Sequence, residues 1–405
     1  MGRNKDYQNG YRGKLLSLVL ENGFLPLDCL RLYDYDTMKE MQRYTRILKS
    51  EEIVREQRTL SGTRYIRLSE HGEGMILGEA NAELVSRYKS DRIMANLRYL
   101  AIEGGDKEKK VQYKQQQNKI VNDVCAKLFA KISGVETRNI PELDKHSLSA
   151  GTKAFFDSST VKSAGTFKAA FEGAGSQKLS NSRINGLSVT PGGVYSIYST
   201  GKSVLEWKRS GEVKMAACIQ ALMNKTTRDF SMADYEKEAV IISSKDGNFT
   251  KIMEAEYKKN SHRRILMNID FTYEHMYSIP FSNDGVRIFR MMQMENWKYK
   301  ILDQILERDE IQESNYVSVS CDGYDKANGI YKLIYCIPDM TKLKGFAKRA
   351  AIEGDKERYQ IYCYKSQVPI IAPLVKDNAK VFIIGIDDME REIGGSDNPS
   401  SDIAI

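Results

Sequence analysis

Between residues 11 and 71 the apolar positions recur first every three to four residues and then every second residue. That change of period predicts helix, turn, helix and then a short hairpin. The segments read YRGKLLSLVLENG, FLPLDCLRLYDYD, TMKEMQRYTRILKS and EEIVREQRTLSGTRYIRLSEHG. Over residues 37–49, at about 100° per residue, Met38, Met41, Tyr44, Thr45 and Leu48 share one face. Lys39, Gln42, Arg43, Arg46 and Lys49 share the opposite one. A surface helix buries the first set and offers the second to a partner. The hairpin is expected to pair IVREQR with RYIRLS around Leu60-Ser61-Gly62-Thr63, with Arg55, Arg58 and Arg64 near its tip.

Farther along, residues 80–102 read as one helix with Leu84, Tyr88, Ile93, Leu97 and Leu100 as its apolar stripe, suited to packing or dimerisation. A charged, glycine-containing run at 103–110 marks a boundary, and a second long helix spans 111–133. Within 136–185, AFFDSSTVK reads as a strand, TFKAAFEGA as a short helix and GSQKLSNSRIN as a loop. GVYSIY and SVLEWK then suggest a hairpin around Ser199-Thr200-Gly201-Lys202, followed by a helix at 211–223 and the buried strand EAVIIS at 238–243. In the last third, ILMNIDF, TYEHMYSIPF, VRIFRMMQM, YKLIYCIPDM, YQIYCYK and KVFIIGID are expected strands. Helices are expected at 295–308 and at 342–352, the latter capped by Asp339 or Thr341. The tail 391–405 and residues 1–10 are polar and expected to be loose.

This order gives an α+β protein: an N-terminal winged helix-turn-helix, a helical connector and a C-terminal mixed α/β region. The expected divisions are 1–79, 80–135, 136–245, 246–388 and a tail at 389–405. Composition narrows the partners. A net charge of +7 over 405 residues is mildly basic and compatible with nucleic acid. No run of eighteen apolar residues predicts a membrane span, and the N-terminus has no apolar signal region. The six cysteines, at 29, 125, 218, 321, 336 and 363, form no CxxC pair and read as free thiols in a reducing cytoplasm. Histidines at 71, 146, 262 and 275 are isolated, which argues against a histidine-cluster metal site.

The chemistry therefore rests on the basic helix. Phosphates and guanine edges are the natural partners of arginine and lysine held on one face. The candidate DNA-binding residues are Lys39, Gln42, Arg43, Arg46 and Lys49, with Arg55, Arg58 and Arg64 from the wing. Ser199-Thr200-Gly201-Lys202-Ser203 looks like the end of a phosphate-binding loop, but Ser196 stands where that loop needs glycine and a strand follows where it needs a helix. Asp387-Asp388 follows an expected strand and reads as a solvated loop.

Glu206-Trp207-Lys208, fifteen residues after Pro191-Gly192, resembles the core of the PD-(D/E)xK nucleases. There an acid after proline and a later Glu-x-Lys meet on adjacent strands, two acids holding Mg²⁺ and the lysine orienting water. Gly192 stands at the position of the first acid, so the reading leans against an enzyme and expects no cofactor. A Mg²⁺-dependent endonuclease using Glu206 and Lys208 is the alternative. A winged helix, a long helix and SRINGLSVTPGGVYSIYSTGKSVLEWK together are similar to the replication-relaxation family of plasmids and conjugative elements, over roughly the first 245 residues. That resemblance implies a cytoplasmic protein that binds double-stranded DNA during replication, transfer or regulation of a mobile element. Replication or transfer proteins and a second copy of the chain are further partners it admits. A winged helix that binds protein rather than DNA is a third reading.

Overall fold

The computed structural model describes residues 10–79, 82–138, 151–164, 182–201, 204, 206–226, 236–255, 265–266, 272–311 and 320–394. The chain is a mixed α+β protein with several sheets. The described residues divide into two compact units, those up to Phe129 and those from Ala130 onwards.

The first unit opens with α1 (Gly10–Asn22), β1 (Leu25–Pro26) and a 3-10 turn (Leu27–Leu32), then α2 (Tyr35–Ser50). A hairpin follows, β2 (Val54–Arg58) and β3 (Arg64–Leu68), and then α3 (Glu70–Glu79), α4 (Ala82–Tyr88), α5 (Asp91–Leu100) and α6 (Lys110–Ile132). The three strands form one antiparallel sheet in the order β1-β3-β2, so the chain returns to β1 through the hairpin's second arm. Its core holds Leu15, Val19, Phe24, Leu32, Met41, Leu48 and Ile66, with Phe24 edge-on to Tyr65 at 5.6 Å. The stretch 80–102 is not one helix. Ser90 interrupts it by accepting the Ile93 amide at 3.5 Å and so caps α5, and Ser69 caps α3 through the Gly72 amide at 2.9 Å.

The second unit contains β4 (Glu136–Thr137), β5 (Ala154–Asp157), α7 (Ser158–Ala164), β6 (Gly186–Thr190), β7 (Gly193–Gly201), β8 (Glu206–Trp207), α8 (Arg209–Thr226), β9 (Glu238–Ser243), α9 (Asp246–Glu254), β10 (Ile265–Leu266) and β11 (His275–Pro280). It continues through α10 (Asn283–Met292), α11 (Trp297–Ile305), β12 (Gly323–Asp325), β13 (Ile330–Ile334), α12 (Met340–Glu353), β14 (Tyr359–Tyr364), α13 (Val368–Val375), β15 (Lys380–Ile384) and α14 (Ile386–Gly394). One six-stranded sheet runs β11-β9-β7-β6-β5-β4, in which β7, β9 and β11 are parallel. A four-stranded sheet runs β12-β13-β14-β15, parallel except for β12. Helices α8, α9, α12 and α13 make the crossovers that parallel neighbours need. Ile241, Phe249, Phe346 and Ile361 belong to one buried cluster that the two sheets share. The expected division at 245/246 therefore falls inside a sheet, because β11 pairs in register with β9.

Several local expectations are corrected. VRIFRMMQM is helix α10: Val286, Phe289 and Met292 are buried at helical spacing, and Ser282 caps the start through the Gly285 amide. AFFDSSTVK is a strand only to Asp157, whose carboxylate takes the amides of Ser159 and Thr160 and starts α7. Asp387 and Asp388 open α14, where carboxylates suit the positive helix end. The expected elements at 166–174, 267–271 and 395–405, and most of 175–185, lie outside the described residues. Among the described residues no helix is long and apolar enough to cross a membrane, and all six cysteines are free thiols.

Candidate nucleic-acid interface

Helix α2 begins where Asp34 accepts the Thr37 amide at 2.9 Å. That amide bond holds the Asp34 carboxyl below the usual carboxylate range. Met41, Thr45 and Leu48 are buried, whereas Lys39, Gln42, Arg43, Arg46 and Lys49 all lie on the exposed side. The exposed face is as the periodicity predicts, whereas Met38 and Tyr44 on the expected dry face are only half-buried.

The charges on that side are not equally available. Arg46 has no hydrogen-bond or ion-pair partner among the described residues. Lys39 rests over the exposed ring of Tyr35, 4.3 Å from its centre. Arg43 pairs with Glu40 at 2.9 Å one turn away, with 61% of its side chain exposed. A pair so open to water is worth little and yields readily to another anion. Lys49 is held more firmly, its Nζ donating to Glu56 on β2 at 2.6 Å. Arg64 approaches the other oxygen of Glu56 at 3.5 Å. The bond from Lys49 pulls the Glu56 carboxyl below its ordinary range.

The hairpin separates the three wing arginines. Arg58 and Arg64 form the last cross-strand pair before the loop, and both are exposed. Arg55 is not near the tip: it faces Arg67 at the other end of the ladder, half-buried, with a buried Nε that has no acceptor. It also lines an open cleft of about 570 Å³ with Lys49, His71 and the glutamates Glu52, Glu56 and Glu70. The loop turns through Gly62 at φ +82°, a left-handed conformation that glycine tolerates without penalty.

Sequence reasoning missed what fixes the hairpin. Gln117 of α6, buried to 1% exposure, accepts the Leu60 amide at 2.8 Å and donates to the carbonyls of Tyr99 and Ile102 at 3.1 and 3.3 Å. Its neighbour Asn118 takes the hydroxyl of Ser61. The only available signal was a glutamine within a helix otherwise read for its apolar stripe.

Glu206 and Lys208 are not brought to a metal-binding pair of strands. The expected hairpin around Ser199–Lys202 is absent, because β7 continues through Gly201. β7 instead pairs with β6 around the Pro191-Gly192 turn and with β9 on its other side. A strand buried on both faces needs such neighbours. Glu206 is exposed on β8, which pairs with β10 in a separate ladder. Gly192 donates its amide to Gln293 at 3.0 Å, and a side chain there would meet the Met292 carbonyl at 2.0 Å. No aspartate fits at 192. Among the described residues no three His, Cys, Asp or Glu side chains gather at metal-binding spacing. Comparison with protein families, curated proteins and solved structures gives no match.

Proposed function

We propose that the chain is a DNA-binding protein whose α2 enters the major groove of a duplex while the β2–β3 hairpin lies on the flanking backbone. The observation that carries this reading is the exposed row Lys39, Gln42, Arg43, Arg46 and Lys49 on a capped helix beside a hairpin. The order of α1, β1, the 3-10 turn, α2, β2 and β3, with β3 between β1 and β2, supports a winged helix-turn-helix. Arg46 and Arg43 are the base-edge candidates; Lys39, Lys49, Arg58 and Arg64 suit phosphates. Arg55, set back at the base of the hairpin, is the weakest of the eight residues.

The reading extends to replication, transfer or regulation of a plasmid or conjugative element, which rests on the resemblance given above. In the second unit, the antiparallel run β5-β6-β7, then α8 and the parallel β9, supports kinship with the PD-(D/E)xK core. Neither β6 nor β7 carries a carboxylate, which favours binding over cleavage. Fluorescence anisotropy of the full chain with a labelled duplex tests the proposal. Arg43→Ala with Arg46→Ala is expected to weaken binding at least tenfold, or about 1.4 kcal/mol, whereas Arg58→Ala with Arg64→Ala is expected to reduce the slope of log affinity against log salt by one to two, about one per lost phosphate contact. Unchanged affinity with an intact fold removes the assignment.

A further inference from the structure

The four-stranded sheet of the second unit ends at β15, and its outer edge is unlike the rest of the surface. Val381, Phe382 and Ile383 are consecutive large apolar residues there, exposed to 37, 38 and 60%. Among the described residues, no backbone hydrogen bond or bridge crosses that edge. An edge strand left in water normally carries a charge, a proline or a bulge that blocks pairing with another chain. β15 has none within its central three residues, and its register against β14 runs without a shift from Lys380 to Ile384.

We infer that β15 is an interface between two copies of this chain, paired antiparallel about a two-fold axis through Phe382. The pairing joins two four-stranded sheets into one of eight strands. Phe382 then faces its own copy, and Val381 faces Ile383 of the second copy, so the exposed apolar groups cover one another. Reciprocity selects the antiparallel direction, because Val381 then meets Ile383 and Ile383 meets Val381, as a two-fold interface requires. The flanking charges oppose neither direction, since Lys380 is paired with Glu357, Asp387 with Arg287 and Asp388 with Arg391 within each chain. A self-complementary patch closes on itself with two-fold symmetry. The dimer also carries two copies of α2, the stoichiometry that a palindromic duplex site calls for. It does not depend on DNA binding, and its test uses no DNA.

Sedimentation velocity of the full chain across a concentration series is expected to show a reversible monomer–dimer equilibrium, shifted at least tenfold towards monomer by Ile383→Lys. Since 60% of Ile383 lies in water, that change leaves the fold intact, which circular dichroism checks. Phe382→Cys tests the register, because residues directly opposite are close enough for a disulfide. Mild oxidation is expected to give a covalent dimer of this variant and not of Lys365→Cys, which lies away from the edge. A wild-type chain that stays monomeric at high concentration overturns the inference. So does a dimer that Ile383→Lys leaves unchanged.

Discussion

On α2 the cations stand in water with weak partners, whereas the second unit encloses its decisive charges. Glu212, in the first turn of α8, has no exposed surface. It accepts the Ser182 hydroxyl at 2.8 Å, the Arg183 amide at 2.7 Å and the Tyr198 hydroxyl at 2.7 Å. Glu238, at the start of β9, takes the Tyr277 hydroxyl at 2.7 Å and faces the Lys298 ammonium at 2.8 Å. Lys298 also reaches Glu236 at 2.9 Å, and His275 beside it is bound by Asp339 at 2.7 Å. Burial pushes Glu212 and Glu238 above the ordinary glutamate range. Glu56 and Asp34 in the first unit move the opposite way, because donors reach them in the open. The same residue type thus holds a fold together in one unit and tunes an accessible surface in the other. A group whose donors are all internal has nothing left to offer a ligand.

The comparison is broken most severely by Glu212→Ala. That change removes the acceptor of the Ser182 hydroxyl and the Arg183 amide and leaves the Tyr198 hydroxyl only the Tyr273 hydroxyl, 2.6 Å away, costing about 3 kcal/mol. Both tryptophans lie in the second unit, and Trp207 packs edge-on against Tyr198 at 5.9 Å. Tryptophan fluorescence during urea unfolding therefore reads this unit. The sign of the pH effect follows from the raised carboxyl. The stability it contributes is complete below the ordinary glutamate range and is lost as pH rises through its folded value. Glu212→Gln should flatten the fall in stability between mildly acidic and neutral pH. An unchanged slope would show that Glu212 titrates alike in the folded and unfolded chain.

Next in size is Gln117→Ala. It removes the acceptor for the Leu60 amide and the donor to two carbonyls, a cost of about 2 kcal/mol borne by the first unit. The Leu60 amide should lose protection in hydrogen exchange, while the amides of α2 keep theirs. Duplex affinity should fall less than in the Arg43 and Arg46 double variant, because the helix is untouched. A loss of protection throughout α2 would instead mean that the hairpin's tether to α6 supports the whole unit.

What was legible in the sequence follows from where periodicity carries information. α2 has one wet and one dry face, so its pattern named the exposed residues and the buried Met41, Thr45 and Leu48, while Met38 and Tyr44 are only half-buried. The strands EAVIIS and YQIYCYK were equally plain, being β-branched, aromatic runs bounded by charge. Pairing was not legible. β7 reads as half of a local hairpin, yet its partners are β6 and, across a helix, β9. The error passed directly into the nuclease alternative, since Glu206 and Lys208 mattered only on a strand beside Gly192. α10 was misread because Val, Ile and Phe suggest a strand unless the burial at every third residue is counted. Gln117 and Glu212 were invisible for another reason: a buried polar residue looks like a solvated one until its partners are known.

The smallest effect tests the charge contrast most finely. Glu56 is the acid that most compromises the basic face, because it engages Lys49 and stands 3.5 Å from Arg64. Replacing it with glutamine removes one negative charge from the surface that, on the proposed reading, a phosphate backbone approaches. Exposed pairs of this kind contribute at most about 0.5 kcal/mol to stability, so folding should barely change. Duplex affinity should instead rise, by about two- to fivefold at low salt, as Lys49 and Arg64 become free for phosphates. The salt slope should steepen by about one for each cation released, and the gain should shrink at high salt where screening is strong. Tighter binding without a steeper slope would mean that Glu56 only repels DNA at a distance. No change in either would place Lys49 and Arg64 outside the duplex footprint and leave Arg43, Arg46 and Arg58 to carry it.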